Sequence, residues 1–289
     1  MPNGIVIITQ VYDRMQNAIG CPDHGCCKGD VVDISIDGAR AVITAGASGI
    51  CGKVAELFIE NGADVFIGDI DEKMLSDFMR NNPAASGCAC DVAKAEDVAR
   101  FIKEAAHSLG GLDILVNGAG IGGPAGKVED IDPDEWDRTL AVGINSAFYC
   151  VKYAVPLLKR AGGGSIINFS SSAGIMGYPF RAPYAASKWA IEGFTKTLAM
   201  ELGEHDIRAN TIVPGLVEGD RMERVIANEA EAKGLSKEKI RETYIKGISM
   251  RKFVTAEDIA QMILFLCSSA GRNINGQSIG VDGFTETLR

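Results

Sequence analysis

Tyr184 and Lys188, in the stretch "YAASK", stand four residues apart. On a helix that spacing puts both on one face. A phenol titrates near ~10 and is a poor base at neutral pH, but an ammonium beside it favours the phenolate. Such a pair could carry a proton to or from an oxygen atom. The stretch "TAGASGIC", Thr44 to Cys51, lies between an apolar run and an amphipathic one. Glycines there let backbone approach a pyrophosphate, and a helix starting at that point offers N–H groups and positive dipole.

Asp69 ends the run "ADVFIGDI", 23 residues after Gly46. An acidic residue at about that distance accepts hydrogen bonds from adenosine ribose hydroxyls. It would also repel a 2′-phosphate, and neither neighbour, Gly68 nor Ile70, is basic. NAD(H) is therefore expected rather than NADP(H). The chain has three histidines, His24, His107 and His205, and the last two fall near expected helix C-termini, where dipole and solvent account for them. Cys21, His24, Cys26 and Cys27 in "CPDHGCC" could in principle ligate zinc, but their spacing matches no well-formed structural site. Free thiols, and no bound metal, are expected there.

The elements that would position these groups alternate. Apolar strand-like runs ("RAVITAG", "ADVFIGDI", "SGCACDV", "LDILVNGAG", "GSIINFSS", "IRANTIVPG", "GQSIGVDG") are separated by periodic helical segments. In "GKVAELFIENG", for example, Val54, Leu57 and Phe58 share a face. One long helix is expected over "DEWDRTLAVGINSAFYCVKYAVPLLKR" and one charged helical stretch from about Arg221 to Lys246. Seven apolar strands alternating with helices imply an α/β fold, a Rossmann-like doubly wound parallel sheet with helices on both faces. One domain of residues 36–289 is expected, preceded by an extension of residues 1–35.

The 289 residues carry a formal net charge of −9, with 46% hydrophobic and 23% charged residues. An acidic chain is a poor partner for nucleic acid. No uninterrupted apolar run approaches the roughly 20 residues that cross a bilayer, and "MPNGIVIITQVYDRM" has no secretion-signal pattern. A cytoplasmic protein without a membrane partner is expected, with its eight cysteines reduced.

Taken in order, "TAGASGIC", Asp69, "CDV" (Cys90 to Val92), "NGAG" (Asn117 to Gly120), "NFSSSAG", "YAASK" and "VPG" make the chain from about Ile36 onward resemble the short-chain dehydrogenase/reductase family. The resemblance implies Tyr184 as catalytic acid/base, and Lys188 as the group that favours its phenolate and holds the nicotinamide ribose. The serine 13 residues before the tyrosine, Ser171, would orient the substrate oxygen. Ser48, Gly49 and Ile50 would line the pyrophosphate, Asp69 the ribose, and Asp91 with Val92 the adenine. Asn117, Ala119 and Gly120 would pass along the middle of the cofactor, and Pro214, Gly215 and Val217 would close over the nicotinamide. The implied reaction is NAD(H)-dependent interconversion of an alcohol (a secondary alcohol, polyol or hydroxy acid) and its carbonyl. A 3-oxoacyl thioester reductase and a non-catalytic NAD(H)-binding protein are the alternatives. A homotetramer is implied by the same resemblance.

Several positions depart from the family pattern. In an ungapped reading of T-G-x-x-x-G-x-G, Ala45 and Cys51 replace the first and last glycines, the former a small change. Gly118 replaces the second asparagine of N-N-A-G, and Gly219 replaces a frequent threonine. Seven residues after Trp136, where the family commonly has a relay asparagine, stands Gly143; Asn145 is two residues further on. Residues from about 218 to 247 occupy the place of the family's substrate lid. Arg181 and Arg221 are the candidates there to meet an anionic or strongly polar substrate group.

Overall fold

The apolar runs become parallel strands: β1 (Arg40–Thr44), β2 (Asp64–Asp69), β3 (Ala85–Ala89), β4 (Ile114–Asn117), β5 (Gly164–Phe169), β6 (Ile207–Pro214) and β7 (Ser278–Val281). A computed structural model describes residues 33–288. The extension expected at residues 1–35, with Cys21, His24, Cys26 and Cys27, lies outside the described residues apart from its last three. The strands form one sheet in the order β3-β2-β1-β4-β5-β6-β7. Register is continuous, with Val42 opposite Phe66 on one side and Leu115 on the other.

The helices are α1 (Gly49–Glu60), α2 (Glu72–Asn81), α3 (Ala95–Leu109), α4 (Pro133–Leu140), α5 (Ser146–Ala161), α6 (Ala182–Leu202), α7 (Asp220–Lys233), α8 (Lys237–Lys246) and α9 (Ala256–Cys267). Strand alternation sends side chains to both faces. Ala41 and Ile43 join one core with Val54, Phe58, Leu75, Ile259 and Ile263, from α1, α2 and α9. Val42 and Leu115 join the other with Phe101, Ile102, Val151, Leu158 and Leu198, from α3, α5 and α6. This is the doubly wound arrangement expected from the sequence, and Val54, Leu57 and Phe58 do share a buried face.

Two expected elements are divided. The long helix contains a π-turn at Ala141–Asn145 between α4 and α5. The charged stretch is two helices, because Gly234 turns left-handed (φ 62°) and Ser236 caps the next helix, its hydroxyl accepting from the Lys239 N–H. These two helices and the segment after them share an apolar cluster of Met222, Ile226, Ala230, Ile240, Ile248 and Phe253. The helical run Pro133–Ala161 is, by length and composition, apolar enough to cross a membrane. Here it lies along the sheet, with Ala147, Cys150, Val151, Ala154 and Leu158 buried.

Candidate active site

The chain reverses its direction of travel across the sheet between β1 and β4. The carboxyl edge beside such a switch point is where open α/β sheets bind ligands. Most candidate residues lie at or just beyond the carboxyl end of a strand: Ser48 to Ile50 after β1, Asp69 ending β2, Asp91 and Val92 after β3. Asn117 to Gly120 follow on β4, Ser171 on β5, and Pro214 to Val217 on β6.

α1 begins at this edge without a side-chain cap at Ser48 and without an acidic residue in its first turn. Its leading N–H groups are left for an outside acceptor. Gly46 must be small, since a Cβ there would lie 2.7 Å from the Ile67 side chain. Asp69 is buried, and its carboxylate accepts from the Ala47 N–H (3.2 Å) and the Asp71 N–H (3.1 Å). That ties the end of β2 to the loop. An uncapped helix N-terminus beside a fixed carboxylate fits the pyrophosphate and ribose of a dinucleotide.

Tyr184 and Lys188 lie in the first turns of α6, with the Lys188 Nζ 5.8 Å from the Tyr184 ring centre. Lys188 is buried, and its ammonium donates to the Phe169 carbonyl at 2.7 Å, at the end of β5. Burial pushes the Lys188 pKa down; the tyrosine opposes that shift, and Arg221 adds to it. Of the three consecutive serines, Ser170 is buried and its hydroxyl donates to the Lys188 carbonyl (3.2 Å), while the Ser172 hydroxyl is buried without a partner among the described residues. Ser171 is only half-buried, its hydroxyl accepting from the Ala173 N–H at 3.2 Å.

The Asn117 side chain turns into the sheet, donating to Asn168 (2.8 Å), which in turn donates to Thr195 on α6 (2.9 Å). A contact from Asn117 to a cofactor would therefore fall to its backbone. Sequence reading missed this buried chain across β4, β5 and α6. Its mark in the sequence is an asparagine inside each of two apolar strands. Thr44 was passed over too, although its buried hydroxyl accepts from the N–H groups of Gly118 (3.0 Å) and Ala119 (3.3 Å) and so joins the loops after β1 and β4. Asp91 holds its own turn, accepting from the Ala93 N–H (3.1 Å) and pairing with Lys94 (3.2 Å). Gly215 donates to the Val281 carbonyl (3.1 Å), and Val217 pairs with Val254, so the segment after β6 is anchored at the same edge.

The departures from the family pattern have physical causes. Ala45 adopts a left-handed conformation (φ 53°), so its side chain is strained where glycine would not be. Cys51 is buried and its thiol is pushed up to about 12, chiefly by burial, so it stays protonated. Gly143 lies in the π-turn and faces α6, and a Cβ there would collide with the Ser187 hydroxyl. Asn145 is exposed. Arg181 precedes α6, and its guanidinium lies 5.7 Å from the Tyr184 ring centre and donates to the Gly122 carbonyl (2.7 Å). A cavity of about 530 Å³ lies elsewhere, between α3 and α5, lined by Arg40, Lys103, His107, Tyr153 and Arg160 and by none of the candidate residues.

A family model described as enoyl-(acyl carrier protein) reductase matches residues 44–284. The chain is 34% identical over 252 residues to a D-beta-hydroxybutyrate dehydrogenase of Rhizobium meliloti (strain 1021), covering 84% of this chain and 96% of that protein. Among solved structures it is similar to L-sorbose reductase of Gluconobacter frateurii complexed with NADPH and L-sorbose. There the TM-score is 0.84 at 27% identity, over 89% of this chain and all (100%) of that one. An NAD+-bound xylitol dehydrogenase gives a TM-score of 0.80 at 25% identity, over 86% of this chain and 99% of that one. Similarity of this extent, carried by the same motifs in the same order, means that the chain belongs to the short-chain dehydrogenase/reductase family, whose members bind a nicotinamide cofactor.

Proposed function

We propose that the protein is an NAD(H)-dependent oxidoreductase that interconverts an alcohol and its carbonyl compound. The observation that carries this reading is the buried Lys188 amine 5.8 Å from the ring of Tyr184. The cofactor, when bound, supplies the two-electron hydride acceptor or donor. In oxidation the Tyr184 oxygen takes the proton of the substrate hydroxyl, and in reduction it returns that proton to the carbonyl oxygen. Lys188 places a positive charge beside the Tyr184 ring, and Ser171 donates a hydrogen bond to the substrate oxygen as charge develops there.

Preference for NAD(H) rests on Asp69. Its carboxylate is fixed by two backbone N–H groups at the end of β2, where a 2′-phosphate would meet like charge. Residues 36–289 form the catalytic domain in this reading, and residues 218–247, with their separate apolar cluster, form its lid. The outer face of α5 and α6, with Phe148 and Trp189 exposed, supports assembly into a homotetramer.

The test is NADH formation from NAD+ with a panel of secondary alcohols, polyols and hydroxy acids. Tyr184→Phe is expected to lower kcat by on the order of 10²–10⁴, and Asp69→Ser to shift the kcat/KM ratio toward NADP+. Turnover that survives intact in Tyr184→Phe would overturn the mechanism. An unchanged cofactor ratio in Asp69→Ser would overturn the NAD assignment.

A further inference from the structure

Two guanidinium groups converge beside the proposed reacting centre. A Cβ built on Gly122 would lie 2.6 Å from an Arg181 terminal nitrogen and 3.6 Å from one of Arg221. Arg181 comes from the residue before α6 and Arg221 from the first turn of α7, so two separate elements bring positive charge to one point. Arg181 is held in place. One terminal nitrogen donates to the Gly122 carbonyl, the rings of Tyr178 and Tyr184 lie 5.8 and 5.7 Å from its central carbon, and a side chain at residue 122 would displace it. Its Nε is buried with no partner among the described residues.

No carboxylate among the described residues lies within ion-pair distance of either arginine. Three carboxylates of this region are engaged elsewhere. Glu218 and Glu223 pair with Arg241, and Glu229 pairs with Lys233 and accepts from the Tyr244 hydroxyl. Arg221 also helps lower the Lys188 pKa, so its charge reaches the centre where Tyr184 works. Three cations brought this close together, one of them half-buried with its Nε donor open, are stabilised by a bound anion.

We infer that the substrate alcohol carries a carboxylate, held by Arg181 and Arg221 above Gly122. This rests on the oxidoreductase reading and names its substrate class: a hydroxy acid and the corresponding oxo acid. Arg181 lies 5.7 Å from the Tyr184 ring centre, which suits a short carbon chain between the carbinol and the carboxylate. A planar guanidinium suits the carboxylate plane, whereas lysine would offer a point charge. In oxidation the carbinol carbon loses a hydride to the nicotinamide and its hydroxyl loses a proton to Tyr184. The carboxylate is unchanged.

The experiment compares 2-, 3- and 4-hydroxy acids with the methyl ester of each, using full-length protein and NAD+. The preferred acid should exceed its ester in kcat/KM by on the order of 100-fold. That ratio should collapse in Arg181→Ala and in Arg221→Ala, with partial recovery in the lysine variants. Wild-type protein that uses ester as well as acid, or variants that lower both by the same factor, would overturn the inference while leaving the oxidoreductase intact. A second readout needs no turnover: calorimetric binding of the matching oxo acids to the NADH complex. Binding that is lost in both alanine variants, in a protein that turns over nothing, would keep the anion site and remove the oxidoreductase. Equal binding by wild type and variants would remove the anion site.

Discussion

The Cys51 thiol fills the space that a side chain on Gly118 would need: a Cβ at Gly118 would collide with the Cys51 sulfur and sit 3.4 Å from its Cβ. Two departures from the family pattern, one after β1 and one after β4, thus form a single packing unit. Gly118→Asn should cost about 1–3 kcal/mol through overpacking, and much less in a Cys51→Gly background. Part of the cost remains in both backgrounds, because the Thr44 carbonyl lies 3.0 Å from the same point. Chemical denaturation of both single variants and the double variant should give a coupling of at least about 1 kcal/mol. Strictly additive losses would show that the two sites do not share the space.

Ala45 carries a cost that the sequence alone does not reveal. Read as a small change from glycine, it turns out to be strained at φ 53°, a region that costs a non-glycine residue roughly 1–2 kcal/mol. Ala45→Gly should therefore raise the melting temperature, by about 2–4 °C for each kcal/mol relieved in a domain of this size. A fall in Tm would mean that loss of the methyl contacts outweighs the relief.

Lys188 makes stability depend on pH in a defined direction. Burial holds its folded-state pKa below the ordinary lysine value of 10.5. Below the folded-state pKa both folded and unfolded chains keep the proton, and the folded state bears the full cost of a buried charge. As pH rises through the lowered pKa toward 10.5, the folded state releases its proton first, and that cost is relieved. Lys188→Met removes the titration. The wild-type stability minus that of Lys188→Met should accordingly rise with pH up to the ordinary lysine value of 10.5, measured by denaturant midpoints. A difference that is flat or falls with pH would mean that the lysine is not desolvated.

The doubly wound sheet and the edge that carries the site follow from features a linear reading can count. Apolar runs with alternating helices dictate a doubly wound sheet, and motif order dictates which strand ends meet. What stayed hidden depends on contacts between distant segments. Nothing near Cys51 announces that Gly118 makes room for it, and nothing near Gly143 announces that it presses on Ser187. The meeting of Arg181 and Arg221 over Gly122 depends on where α7 starts relative to α6, a distance no spacing rule supplies. The break at Gly234 was visible only as one glycine in a charged stretch, and the separate apolar cluster of α7 and α8 has too few residues to stand out from the surrounding charge.

Assembly gives the last test. Phe148 on α5 is 47% exposed, Trp189 on α6 is 52% exposed and Met200 on α6 is 86% exposed. Trp189, Gly193 and Met200 fall along one stripe of α6, and the Phe148 ring lies 6.5 Å from that of Phe194, joining the two helices into one apolar face. Such a face is costly to leave in water and suits an interface between copies of the chain. Light scattering on the purified protein should give the mass of four chains. Phe148→Glu and Trp189→Glu, each placing a charge in the middle of that face, should shift the population to smaller species at micromolar concentration. A wild-type protein that runs as a monomer, or variants that leave the tetramer intact, would assign the face another role.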